Sequence, residues 1–139
     1  MIKKIQDAKV QKQTVVLRLD LNIPYANGKS NDISRIEKTR ETIRYLVKNT
    51  NKVVILSHFG RPEGRINKDL SLKKLLRYLQ DTINLDIQFL PSLDIERCRK
   101  AIQSASFPSV FLLENLRFSR LEENNDPDFS YKLASLGGI

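Results

Sequence analysis

Apolar positions along this chain follow two alternating periods. Four short, nearly continuous apolar runs stand out: "TVVLRLD" (Thr14–Asp20), "KVVILS" (Lys52–Ser57), "DIQFL" (Asp86–Leu90) and "SVFLLE" (Ser109–Glu114). They predict strands covered on both faces, as in a parallel sheet. Between them the period lengthens. From Ser34 onward, Ile36, Thr39, Ile43, Leu46 and Val47 recur at helical spacing, with Asp32 or Ser34 as the N-cap. "SLKKLLRYLQDTI" (Ser71–Ile83) places Leu72, Leu75, Leu76, Leu79 and Ile83 on one helix face. "DIERCRKAIQSA" predicts an amphipathic helix capped by Asp94, and "DPDFSYKLASL" a helix with Asp126 at the N-cap and Pro127 at the first helical position. The segments "LNIPYANGKSND" and "NLRFSRLEENND" predict loops, the first with an Asn27-Gly28 turn. "SLGGI" reads as a glycine C-cap pair and the start of a further strand.

Strands alternating with helices predict an α/β fold: a parallel sheet with helices on its faces. No repeat, low-complexity stretch or linker divides the 139 residues, a length of about one domain. In such sheets ligands bind where the C-terminal ends of the strands open into loops. The loops after Asp20, Ser57 and Leu113 are therefore the places to look.

Those loops carry Asp20 and Asn22, then His58 and Arg61, then Asn115 and Arg117, with Arg35 near the start of the first helix. Parallel strands would bring them to one edge. A guanidinium binds two oxygens of a phosphate or carboxylate at once. Arg35 at a helix N-terminus would add the positive end of the dipole. Asp20 and Asn22 suit hydroxyl groups. The set predicts a basket for a small, multiply anionic, hydroxylated ligand. Each residue alone also has a plain structural reading: a lone histidine is ordinarily packed, and an aspartate after a strand ordinarily caps a turn. Only their joint placement makes a candidate site.

Composition narrows the chemistry. A net charge of +8 favours an anionic partner, whether nucleic acid, acidic membrane or phosphorylated metabolite. The single cysteine, Cys98, excludes a disulfide framework and fits a reducing cytoplasm. The N-terminal stretch lacks the apolar run of a signal peptide, and no segment reaches the ~18 apolar residues of a membrane span. No GxxxxGK[ST] or GxGxxG motif occurs, and no metal-ligand spacing. The lysine pairs Lys3-Lys4 and Lys73-Lys74, and the acidic "EENND" (Glu122–Asp126), read as solvated; Tyr45 and Tyr78 read as core or edge residues.

Four motifs, "RLDLNIP" (Arg18–Pro24), "NDISRI" (Asn31–Ile36), "SHFGRP" (Ser57–Pro62) and "LLENLRF" (Leu112–Phe118), resemble the N-terminal half of phosphoglycerate kinases, in that family's order and at about its spacings. "NDPDF" before the last helix resembles it too. Leu19, Leu21 and Ile23 stand where the family more often has valine or phenylalanine, and Phe59 where it often has leucine.

The resemblance implies a doubly wound, three-layer αβα (Rossmann-like) domain that binds 3-phosphoglycerate or 1,3-bisphosphoglycerate. It implies that Asp20 and Asn22 hydrogen-bond the glycerate, that His58 and Arg61 hold the ligand with the loop backbone at Leu21, Phe59 and Gly60, and that Arg117 binds phosphate. Arg35 would stabilise the phosphoryl group in flight. It further implies a cytoplasmic, monomeric glycolytic enzyme whose second domain, bearing magnesium-ATP or ADP, lies outside this stretch. Residues 1–139 would then be an incomplete N-terminal domain, unable to catalyse transfer alone, with an open sheet edge. Two other readings stand beside it: an anion-binding remnant without turnover, and a basic nucleic-acid-binding module. The last is disfavoured by the scattered arginines and the lack of a recognition helix.

Overall fold

The computed structural model describes residues 4–106 and 108–139. Lys3, half of one lysine pair, lies outside them. The four predicted strands form as β1 (Thr14–Arg18), β2 (Lys52–Leu56), β3 (Gln88–Leu90) and β4 (Ser109–Leu113). They make one sheet in the order β1-β2-β4-β3, every neighbouring pair parallel. β1, β2 and β4 end one or two residues earlier than their apolar runs, while β3 ends with its run at Leu90. Asp20, Ser57 and Glu114 thereby fall just past the strand ends, where backbone groups turn to side-chain partners.

Alternating strand residues serve two layers. Val15, Val53, Ile55, Val110 and Leu112 pack with Ile36, Ile43, Leu46, Leu75 and Leu79. These come from α1 (Ser34–Glu37), α2 (Arg40–Asn49), a 3-10 turn at Leu72–Leu75 and α3 (Leu76–Ile83). Val54, Leu56, Phe111 and Leu113 pack on the opposite face with Ile95, Cys98, Ile102, Phe129 and Leu133. Those belong to α4 (Ile95–Ser104) and α6 (Pro127–Ala134); the short α5 (Arg120–Glu123) lies in the stretch expected to be loop. Helices on both faces make the expected three-layer α/β fold. β2 and β4 are central, which is why their apolar runs are continuous.

Three local expectations change. The helix expected from Ser34 is split at Lys38-Thr39, where the backbone stays right-handed but tightens over a turn: Thr39 N donates to Ile36 O at 3.0 Å, and the Thr39 hydroxyl donates to the same oxygen at 2.7 Å. Its N-cap position is Ile33; Asp32 instead accepts from Ser34 N at 3.0 Å. The glycines of "SLGGI" do not form a left-handed C-cap: α6 ends at Ser135 in right-handed conformation, and neither Gly137 nor Gly138 has positive φ. Gly137 is needed for close approach, since a Cβ there would lie 2.5 Å from Thr14 O. Gly138 N donates to Thr14 O at 2.9 Å and Val16 N donates to Ile139 O at 2.7 Å, so the last residues run along β1 and cover part of its edge. Asp126 and Pro127 start α6 as expected, with Asp126 accepting from Phe129 N at 2.8 Å.

Part of the basic surplus serves the fold. Lys52, buried, donates from Nζ to Ile102 O at 2.5 Å and Gln103 O at 3.2 Å, the open carbonyls at the end of α4. Arg40 and Arg44 of α2 donate likewise to Thr82 O and Ile83 O at the end of α3. Lys52→Met keeps the apolar stem but leaves two carbonyls unmet; it should lower unfolding free energy by about 1–3 kcal/mol in urea titration. Unchanged stability would remove this role.

Candidate functional site

Because the sheet is parallel, the segments after β1, β2 and β4 emerge side by side at one edge. Two buried polar side chains bind them together. Ser57, fully buried after β2, donates from Oγ to Leu19 O at 2.8 Å and accepts from Leu21 N at 3.1 Å. Asn115, fully buried after β4, accepts from Phe59 N (3.2 Å) and Arg117 N (3.1 Å) and donates to Phe59 O (2.7 Å) and Leu70 O (2.8 Å). Its amide is spent on backbone and faces no ligand, contrary to its inclusion among the candidate polar groups. Buried backbone groups off a sheet need such partners.

The β2 loop turns sharply at Gly60, whose φ of +62° suits glycine and where a Cβ would lie 2.6 Å from Leu70 Cδ2. Gly60 N donates to Asn22 Oδ1 at 3.0 Å, tying this loop to the one after β1. The Asn22 side-chain NH2 has no hydrogen bond among the described residues. Leu21 and Phe59 are buried, so their contribution at this edge is backbone. Asp20 both closes its own turn, accepting from Asn22 N at 3.1 Å, and pairs with Arg35 Nη1 at 2.5 Å. Burial alone would raise the Asp20 pKa; the bonds from Arg35 and Asn22 outweigh it and hold the carboxyl below its ordinary value. Arg35 sits on α1, a single turn of four residues, so the helix dipole expected beside it is slight. Its role rests on its own charge.

His58 is half-buried between charges of both signs. Burial lowers its pKa, and Arg117 and Arg18 push the same way; Glu122 and Asp20 oppose them. The net result is a pKa below the usual imidazole value, so the ring is neutral near pH 7. Arg117 donates from Nε to Glu122 Oε2 at 3.3 Å, with Glu123 Oε1 at 3.8 Å. Arg61 is exposed on the β2 loop and joins no salt bridge among the described residues.

The structure thus gathers Asp20, Asn22, Arg35, His58 and Arg117 at one edge. It also corrects one reading there. Glu122 is not a solvated charge: its side chain is 9% exposed, and its other oxygen pairs with Arg18. Neither Glu122 nor Arg18 stood out in the sequence. Their pairing spans 104 residues, and no local spacing signals it.

The edge is open to solvent: the Arg35 and Asp20 side chains are 51% and 59% exposed. A concavity of about 520 Å³ opens instead beside Ile66, Phe89, Pro91 and Phe118. Its exposed wall is mostly apolar, although Lys68, Lys73 and Lys74 are among its lining, and it holds none of Arg35, Arg61 and Arg117, so the charged edge remains the candidate. Among the described residues no group of His, Cys, Asp and Glu is suited to a metal ion, and no helix is long and apolar enough to cross a membrane.

Known proteins carry the same architecture. The chain is 44% identical to phosphoglycerate kinase of Orientia tsutsugamushi strain Ikeda over 99% of its own length and 34% of that protein's. It is 37% identical to the Brucella suis phosphoglycerate kinase over all of its length and 35% of that protein's. The crystal structure of phosphoglycerate kinase from Pyrococcus horikoshii OT3 superposes with a TM-score of 0.81 at 29% identity, over 97% of this chain and 35% of that one. The chain therefore spans about a third of the length of the relatives it matches. The family model for phosphoglycerate kinase matches residues 5–139, and the chain belongs to that family.

Proposed function

We propose that this chain is the phosphoglycerate-binding part of a phosphoglycerate kinase. As part of the full-length enzyme it would bind 3-phosphoglycerate or 1,3-bisphosphoglycerate for reversible phosphoryl exchange with ADP and ATP in glycolysis. The observation that carries this reading is the convergence of Arg35, His58 and Arg117 with Asp20 and Asn22 on adjacent parallel strand ends. Such an edge suits a ligand that is anionic at one end and hydroxylated in the middle.

Each group has chemistry to offer. Arg117 is held by Nε, which leaves its terminal fork for phosphate oxygens. The free amide NH2 of Asn22 and the Asp20 carboxylate would meet the hydroxyl and carboxyl groups of the glycerate. His58 and Arg61 would flank the ligand, with the backbone at Leu21, Phe59 and Gly60 shaping the loop. Arg35 is tethered to Asp20 by one nitrogen and keeps its others for the phosphoryl group in flight.

Phosphoryl transfer leaves the protein mainly positioning and charge stabilisation. A partner domain closing over the edge would exclude water from the acyl phosphate. Magnesium with ATP or ADP would be held by residues outside this chain. A cytoplasmic, monomeric protein fits this role.

Two measurements test the proposal. 3-Phosphoglycerate added to the chain should shift the NMR signals of His58 and Arg117. The His58 titration midpoint should start below about 6.5 and rise on binding, because an added anion stabilises the imidazolium. The same signals unmoved at millimolar ligand would defeat the reading. In a full-length enzyme, Arg35→Ala should lower kcat by about 10³-fold, by analogy with other phosphoryl-stabilising arginines. A kcat within twofold of wild type, with the fold intact, would take that role from Arg35.

A further inference from the structure

We propose that Glu122 is a positioning residue for the phosphate group: its two carboxylate oxygens each hold one arginine, so that Arg117 presents its terminal fork to the ligand. The inference rests on the phosphoglycerate-binding reading above. Glu122 comes from α5, Arg18 from the end of β1 and Arg117 from the turn after β4. Oε1 pairs with Arg18 Nη2 and Oε2 accepts from Arg117 Nε at 3.3 Å. The terminal nitrogens of Arg117 have no hydrogen bond among the described residues.

This geometry selects which face of Arg117 is available. An untethered arginine samples many rotamers and must be ordered when a ligand binds. Tethered through Nε, the guanidinium keeps both terminal nitrogens side by side, the arrangement that two phosphate oxygens can use. The carboxylate stays charged: burial would raise its pKa, but the bonds and charges of Arg18 and Arg117 hold it below its ordinary value. Its negative charge does not spoil the site, because two arginines share it and the three groups together remain positive. Glu123, at 3.8 Å from the same Nε and more exposed, can supplement but not replace this bridge.

The test is Glu122→Gln, which keeps shape but loses the charge that two arginines need. Dissociation constants for 3-phosphoglycerate and for inorganic phosphate would be measured on wild type and variant by calorimetry. The His58 midpoint would be followed by NMR. Affinity for both ligands should fall about tenfold. The His58 midpoint should fall further, since Arg117 and Arg18 would then be opposed by Asp20 alone; that fall reports the lost charge, and the affinity regained by the charged Glu122→Asp variant separates positioning from a purely structural role. Glu122→Asp, which keeps the charge one methylene further back, should bind with intermediate affinity, and it decides the matter alone if the Gln variant does not fold. Wild-type binding with either folded variant within twofold of it overturns the role of Glu122 and leaves the functional reading intact. No binding by wild type overturns that reading, and this inference with it.

Discussion

The candidate site depends on one buried amide. Asn115 uses its side chain to close four backbone hydrogen bonds that neither sheet nor helix can supply. Two of them hold Phe59 in the β2 loop, one holds Leu70 further along the chain, and one starts the turn that carries Arg117. Ser57 does the same between the first and second loops. Each interaction is worth little net, but removing one partner leaves several buried groups unmet. The arginines converge because the backbone beneath them has few other ways to satisfy its polar groups.

Charge is divided between two duties. Lys52, Arg40 and Arg44 meet the open carbonyls at helix ends, so a net charge of +8 overstates what is free for a ligand. At the strand ends Arg18, Arg35 and Arg117 are not free either. Asp20 holds Arg35, and Glu122 holds Arg18 and Arg117. Each carboxylate costs some of the positive field and orders side chains that would otherwise wander. His58 between them is kept neutral by burial and by its cationic neighbours.

Much of this was legible in the sequence because it is local. The continuous apolar runs of β2 and β4 follow from burial on both faces, and Asp126-Pro127 marks a helix start by its own chemistry. The loop positions of Asp20, His58 and Arg117 follow once the strands are parallel. What was missed is non-local or depends on fine backbone geometry. The Glu122 bridge joins residues far apart in the chain, so an acidic run looked solvated. The break after α1 is a local tightening of the turn at Thr39, where backbone and hydroxyl both bond Ile36 O. The Gly137 role is close approach to β1, which no helix-end rule can show.

Family membership rests on the whole of residues 5–139, while the roles of individual side chains rest on geometry at the strand ends. The two meet in a single claim: that a phosphoglycerate lies across the loops after β1, β2 and β4 without disturbing the amide that ties them. A crystal structure of the chain with 3-phosphoglycerate tests this most directly. The expected result places the phosphate on Arg117 and the glycerate against Asp20 and Asn22, with the four bonds of Asn115 unchanged. Ligand seated in the apolar concavity beside Phe89 and Phe118, or loops rearranged with Asn115 released, would contradict it.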